Sequence, residues 1–163
     1  PYAFNYGGEL VKIMSLDGNG KMSKSENQMN TLYLADDGDL IRKKIMKAKT
    51  DQGPSEPNSA KPDYIENLFT LMRLVSTPDT VQKFEDDYNA SSAGHTVIRY
   101  GDMKKQLAED MAAFIAPIRE KAADIQNNQE LLSRIIRQGA EKARHSAAET
   151  MKLVRQSIGM NYA

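Results

Sequence analysis

The N-terminal fifth of the chain shows no helical spacing of its apolar positions. Residues 17–20 read Asp-Gly-Asn-Gly, a sequence that favours a turn. Before this turn, Val11, Ile13 and Leu16 follow the spacing of a short strand or extended segment. Residues 31–34 are predicted to form a second extended piece. This part of the chain is therefore predicted to consist of loops and short extended segments.

From about residue 35 the apolar residues recur every three or four positions, which predicts amphipathic helices. The first helix is predicted to be capped by Asp36 and to end near Ala48. A connector rich in proline and glycine follows at residues 51–62. Helical spacing resumes at Ile65, and Thr77 before a proline predicts the start of another helix.

Two long helices are predicted to complete the chain. The apolar stripe of the first begins at Met103, and Pro117 inside it should kink the helix. Asn127 with Glu130 forms a capping pattern for the second helix, and Gly159 suits its C-terminal end. Short connections between about five helices imply antiparallel packing. The predicted fold class is therefore mainly α, a helical bundle preceded by a short strand-and-loop segment.

Composition narrows the possible classes of protein. The chain has 163 residues, of which 40% are hydrophobic and 27% charged, the balance of an ordinary globular protein. Its net charge is zero, so a nucleic-acid partner has to be argued from local patches. It has no cysteine, which excludes disulfides and thiolate metal sites and fits a cytoplasmic location. No apolar run approaches the roughly 20 residues of a membrane span. Because the chain starts without Met, we expect it to begin inside a longer protein.

A loop rich in lysine and serine follows the glycine turn. Its five residues are Lys21, Met22, Ser23, Lys24 and Ser25. Lysine supplies a compact ammonium charge that suits phosphate, and the serines add small hydroxyl donors. Gly18 and Gly20 would let the backbone approach a ligand closely. The alternative for a generic loop of this composition is ordinary solvated surface.

The five residues match the second signature of the class I aminoacyl-tRNA synthetases, Lys-Met-Ser-Lys-Ser, at every position. Residues 12–16 resemble the segment that leads into this loop in bacterial tryptophanyl-tRNA synthetases. Residues 42–51 are similar to the basic helix that follows it there. Residues 100–104 and 139–144 resemble two late helices of that family. The resemblance covers most of residues 11–158 in the expected order.

The resemblance implies an enzyme that uses ATP to convert tryptophan to an aminoacyl-adenylate and then transfers it to tRNA(Trp). ATP would be a substrate that carries Mg²⁺ on its phosphates, and no metal site of the protein is implied. Lys21 and Lys24 would be catalytic, and residues 21–25 would bind ATP. The family's His-x-Gly-His signature and its amino-acid pocket are missing, so we interpret the chain as a C-terminal fragment that is inactive alone. The complete enzyme is expected to be a cytoplasmic homodimer, away from membranes, that dimerises through the missing N-terminal half.

The resemblance also predicts two domains. Residues 1–50 would be the end of a Rossmann-like α/β catalytic domain, and residues 51–163 a helical domain that binds the anticodon side of tRNA. The predicted tRNA contacts are basic residues that lie within roughly 80° of one another around the last helix: Arg134, Arg137, Arg144, Lys152 and Arg155. The alternative is a solvated amphipathic helix. A second cationic cluster precedes the connector, and it is either a surface that contacts tRNA phosphates or a solvated helix end: Arg42, Lys43, Lys44, Lys47 and Lys49.

Two other functions compete with this interpretation. Tyrosyl-tRNA synthetases share the loop, but bacterial members usually continue with Leu-Gly-Asn, whereas this chain continues with Glu26-Asn27-Gln28. The other is a helical RNA-binding or interaction module without catalysis. His95 and His145 have no partner at ligand spacing, so we expect structural or surface roles for them.

Overall fold

The computed structural model describes residues 11–25 and 27–160. Within these residues it is mainly helical, which confirms the predicted fold class. The α-helices are α1 (Gly38–Met46), α2 (Asp63–Val75), α3 (Pro78–Asn89), α4 (Tyr100–Asn127) and α5 (Gln129–Ser157). A short 3₁₀ turn at Gln28–Asn30 precedes them.

The chain divides into two compact units, one that ends at Arg119 and one that begins at Glu120. Residues before and after position 50 thus belong to the same unit. Its core contains large side chains from α1, α2 and α4 that are almost fully buried: Ile41, Ile45, Ile65, Leu68, Phe69, Met72, Met103 and Leu107. Leu16, from the segment before the glycine turn, joins this core. Burial of each such side chain contributes about 1.5–3 kcal/mol to stability. The burial of Leu16 therefore attaches the segment before the glycine turn to the helices of the first unit. The assignment of separate functions to residues 1–50 and 51–163 stays a prediction.

The strand expected at residues 11–16 is reduced to a single antiparallel bridge, between Met14 and Lys21. The piece expected at residues 31–34 is extended at Thr31 and turns at residues 34 and 35. The segment at residues 11–16 lies between glycines in the sequence, and so short a segment leaves too few residues for a regular strand.

The cap of α1 is Asp37, and the prediction of Asp36 was wrong by one residue. The Asp37 carboxylate accepts the backbone N–H of Leu40 at 2.7 Å. Asp36 is buried instead, with its carboxylate on the ammonium group of Lys44. Two adjacent aspartates are equally good caps by residue type, so only their burial separates their roles.

The cap of α5 also differs from its prediction by one residue. Asn128 rather than Asn127 accepts the backbone N–H of Leu131, at 2.9 Å. The cap of α3 is confirmed, because the Thr77 hydroxyl accepts the backbone N–H of Thr80 at 3.3 Å.

The second unit contains α5, which has no buried residue. Its apolar stripe is exposed, with Ile136 62% and Val154 42% accessible, so the described residues do not cover it. The helix ends at Ser157, and Gly159 two residues later has the left-handed φ of 74° that suits a glycine at this end. There the N–H of Met160 donates to the carbonyl of Arg155 at 2.9 Å, as in a Schellman cap. Pro117 lies inside α4, where its kink stays a prediction.

Candidate phosphate-binding loop and basic surfaces

A tight antiparallel turn presents the Lys/Ser loop. The N–H of Ser15 donates to the carbonyl of Gly20 at 3.1 Å, and the N–H of Met22 donates to the carbonyl of Ile13 at 3.0 Å. These bonds lie on either side of the bridge between Met14 and Lys21. Residues 21–25 therefore leave the turn in a direction that the backbone pairing fixes.

The two glycines of the turn serve different needs. Both are left-handed, with φ of 78° at Gly18 and 72° at Gly20, a conformation that favours glycine. A Cβ atom at residue 18 would also lie 2.8 Å from the Cβ of Tyr64, so Gly18 lets the turn approach α2 closely. Nothing lies within 4 Å of the corresponding position at Gly20. The turn is thus packed at its first glycine and open at its second.

Asp17 stabilises the same turn with its carboxylate. Its Oδ1 accepts the backbone N–H of Asn19 at 3.0 Å, and its Oδ2 accepts the side-chain amide of Asn30 at 2.6 Å. The bond from the Asn19 backbone, above all, lowers the pKa of Asp17 from its ordinary value. The carboxylate therefore stays ionised and joins the turn to the 3₁₀ segment that follows the loop.

Asn67 of α2 anchors the other side of the turn. Its side-chain Oδ1 accepts the N–H of Met14 at 2.9 Å, and its Nδ2 donates to the carbonyl of the same residue at 3.0 Å. The amide is buried, so both bonds form where water has little access. Through Asn67, the helical core fixes the strand-like residue that pairs with Lys21.

The loop itself carries exposed cations. Lys21 and Lys24 are solvent-exposed, and no carboxylate of the described residues forms a salt bridge with either. The hydroxyls of Ser23 and Ser25 lie 2.9 Å apart and share a hydrogen bond. Two exposed ammonium groups and two hydroxyls within five residues are a suitable donor set for a polyphosphate.

An open apolar cleft of about 760 Å³ lies beside the loop, within the first unit. Ser23 and Lys24 contribute to one wall, and Leu71, Met111 and Phe114 contribute to the others. Its volume is in the range of small-molecule sites. The sequence did not predict it, because five separate segments supply its walls.

The cationic cluster before the connector is partly used for packing. The guanidinium of Arg42 makes two bonds to the carboxylate of Glu109, at 2.7 and 2.8 Å, and joins α1 to α4. Lys44 is buried against Asp36 at 2.6 Å. Two of the five cations are therefore engaged in ion pairs, which weakens the case for this cluster as an RNA surface.

The five predicted tRNA contacts all lie on α5 and are all exposed: Arg134, Arg137, Arg144, Lys152 and Arg155. In the part of the chain that the structure describes, none of them forms a salt bridge. Their availability is compatible with phosphate contacts, and their role stays a prediction.

Neither histidine is part of the loop. His145 faces Glu149 one helical turn later, at 3.4 Å, and His95 is exposed in the connection before α4. Among the described residues, no group of three His, Cys, Asp or Glu side chains is placed to hold a metal ion. No described helix is long and apolar enough to cross a membrane.

The chain that carries this loop matches a known protein family. The model of the family described as "tRNA synthetases class I (W and Y)" matches residues 9–116. The chain is 51% identical over 159 residues to a tryptophan–tRNA ligase of Porphyromonas gingivalis, a match that covers 98% of this chain and 46% of the relative. It is 33% identical over 158 residues to one of Clostridium longisporum, covering 95% and 44%.

Solved structures give a similar result. The tryptophanyl-tRNA synthetase of Mycoplasma pneumoniae superposes with a TM-score of 0.68 at 27% identity, covering 92% of this chain and 44% of that one. The enzyme of Campylobacter jejuni, solved with ADP and tryptophan, gives a TM-score of 0.68 at 27% identity, covering 94% and 45%. The chain thus spans less than half the length of these relatives, and it matches their C-terminal part.

Proposed function

The chain belongs to the class I tRNA synthetases for tryptophan and tyrosine, and on that premise we propose that it is the C-terminal part of a tryptophan–tRNA ligase. The observation that carries this proposal is the signature loop, residues 21–25, whose lysines are exposed on a turn anchored to the core. Tryptophan is favoured over tyrosine because the relatives that match 98% and 95% of this chain are tryptophan–tRNA ligases.

The complete enzyme would catalyse two steps. In the first, a carboxylate oxygen of tryptophan attacks the α-phosphorus of ATP, and the bond from that phosphorus to the bridging oxygen breaks. Pyrophosphate leaves with the electron pair of that bond. Mg²⁺ that arrives with ATP would neutralise part of the negative charge of the pyrophosphate. In the second step a hydroxyl at the tRNA 3′ end takes the aminoacyl group and AMP leaves.

Lys21 and Lys24 suit the first step because negative charge grows on the departing pyrophosphate. Cations that meet this charge more closely in the transition state than in bound ATP raise the rate rather than the affinity. The hydroxyls of Ser23 and Ser25, which share a hydrogen bond, would donate to phosphate oxygens of bound ATP.

The test of the loop is Lys24→Ala in the complete protein that carries this chain. Loss of a cation that acts mainly in the transition state should cost about 2–4 kcal/mol in the rate of adenylate formation, with little change in ATP affinity. Lys47→Ala is the matched control, because Lys47 is an exposed lysine outside the loop. A change in ATP affinity alone would show that Lys24 binds the ground state and has no catalytic role.

The helical region from residue 51, and α5 above all, is proposed to bind the anticodon side of tRNA(Trp). The support is the set of exposed basic residues on one side of α5. Arginine suits this role because it can fork onto phosphate and stack on unpaired bases. The same proposal takes the complete enzyme to be a cytoplasmic homodimer whose subunit contacts lie outside this chain.

The test replaces Arg137 and Arg144 together with Glu in the complete protein. Aminoacylation should then need more tRNA, while tryptophan-dependent ATP–pyrophosphate exchange stays normal. Lys83→Glu with Lys105→Glu makes the same change in charge at exposed lysines of α3 and α4, and it should leave both reactions unchanged. Equal effects of the two pairs on tRNA binding would show that only net charge matters, and α5 would then not be the contact surface.

A further inference from the structure

The segment that follows the signature loop is wrapped around one buried lysine. The Nζ of Lys44, which is 2% exposed, donates to the carbonyl of Thr31 at 2.8 Å and to the Oδ2 of Asp36 at 2.6 Å. The same Nζ lies 4.7 Å from the centroid of the Tyr33 ring. Residues 31–36 thus surround the ammonium group with a carbonyl, a carboxylate and an aromatic face.

The carboxylate of Asp36 also bonds to the backbone of the segment that surrounds Lys44. Besides Lys44, the Oδ2 of Asp36 accepts the backbone N–H of Tyr33 at 2.9 Å. Lys44 extends from α1, whose neighbouring side chains Ile41 and Ile45 are buried in the core. Because a buried charge is stable only when its partners stay in place, the ion pair fixes the conformation of residues 31–36 relative to α1.

Thr31 connects this segment to the loop. Its hydroxyl donates to the carbonyl of Ser23 at 3.0 Å, and Thr31 is 4% exposed. The next residue, Leu32, directs its backbone N–H at the Sδ of Met22 at 3.4 Å. On the opposite side, the N–H of Met22 donates to the carbonyl of Ile13. Residues 22 and 23 are therefore held from two sides.

We propose that Thr31, backed by the ion pair of Lys44 and Asp36, is a positioning residue that sets the conformation of the signature loop. Ser23 lies directly before Lys24, so the bond to its carbonyl fixes the backbone from which that ammonium group extends. Thr31 itself touches no reacting atom. The catalytic consequence rests on the proposed function, whereas the effect on loop conformation does not.

Thr31→Val tests this role, because valine keeps the shape of the side chain and replaces the hydroxyl with a methyl group. In the complete protein, hydrogen–deuterium exchange of a peptide that spans residues 21–25 should become several times faster. The kcat of tryptophan-dependent ATP–pyrophosphate exchange should fall roughly three- to tenfold, the effect of one hydrogen bond, with less than a twofold change in the KM for ATP. Thr31→Ser keeps the hydroxyl and should restore both values.

Thr77→Val is the matched control, since it removes a threonine hydroxyl that caps α3 instead of contacting the loop. It should lower thermal stability while leaving kcat and exchange at residues 21–25 unchanged. The positioning role is overturned if Thr31→Val leaves hydrogen–deuterium exchange at residues 21–25 unchanged. Its catalytic consequence is overturned if Thr31→Val leaves kcat unchanged, or if Thr77→Val lowers kcat equally. If the unaltered protein supports no tryptophan-dependent exchange, the proposed function is wrong, and hydrogen exchange still decides whether Thr31 sets the loop's conformation.

Discussion

Asn67→Leu should destabilise the chain far more than the loss of an ordinary surface amide. The buried side-chain amide makes two bonds to the backbone of Met14, at 2.9 and 3.0 Å. Leucine has a similar volume, so the main loss is these bonds rather than packing. A buried polar group left without its partner costs about 1–3 kcal/mol. The substitution leaves two such groups, the N–H and the carbonyl of Met14. Because Met14 is only half-buried, water recovers part of the loss, and we expect a total of about 2–4 kcal/mol.

The assay is urea unfolding of the chain, followed by far-ultraviolet circular dichroism. The midpoint should fall without a change in the m-value, because the surface exposed on unfolding stays the same. Gln82→Leu is the control, since the amide of Gln82 donates to Asp86 at 2.8 Å on the exposed surface. It should change the free energy of unfolding by less than about 0.5 kcal/mol. A loss below about 1 kcal/mol for Asn67→Leu would refute the anchoring role, given the cost expected for unpaired groups.

Two further predictions concern ion pairs of α1. Lys44→Met leaves the carboxylate of Asp36 buried without its cation and should cost about 3–5 kcal/mol in the same unfolding assay. A loss within the range of a surface substitution would contradict the burial of that pair. The hydrogen bonds from Arg42, above all, lower the pKa of Glu109 in the folded chain. The ionised carboxylate therefore stabilises the fold above its ordinary pKa of 4.5. This stabilisation is lost as the pH falls through the lower pKa of the folded state. Glu109→Gln should therefore lower the free energy of unfolding at pH 7 and make it fall less steeply in acid. If urea unfolding shows the same fall between neutral and acid pH in the variant, the ion pair does not contribute in this way.

Helix positions were predictable because they depend on residues close in sequence. The spacing of apolar residues gave the helices, and Thr77 before Pro78 gave the cap of α3. Errors of one residue arose where two equivalent caps stand side by side, as at Asp36 and Asp37. Residue type alone does not separate such neighbours; the packing around them does.

The anchoring residues Lys44 and Asn67 leave a weaker signal in the sequence than the loop does. Lys44 stands in a run of basic residues that usually indicates solvent exposure, and its burial depends on how residues 31–36 fold back over it. Asn67 offered a weak signal, a polar side chain among the apolar positions of α2. The exposed stripe of α5 shows the converse, since its spacing predicts a buried face that the described residues do not cover.

The proposed ligase activity is tested most directly by amino-acid-dependent ATP–pyrophosphate exchange with the complete protein that carries this chain. Labelled pyrophosphate, ATP and Mg²⁺ are supplied with tryptophan, with tyrosine, or with no amino acid. We expect exchange with tryptophan and only background with the other two. Exchange with tyrosine instead would contradict the assigned substrate, and background exchange with both would contradict a ligase that uses the loop at residues 21–25.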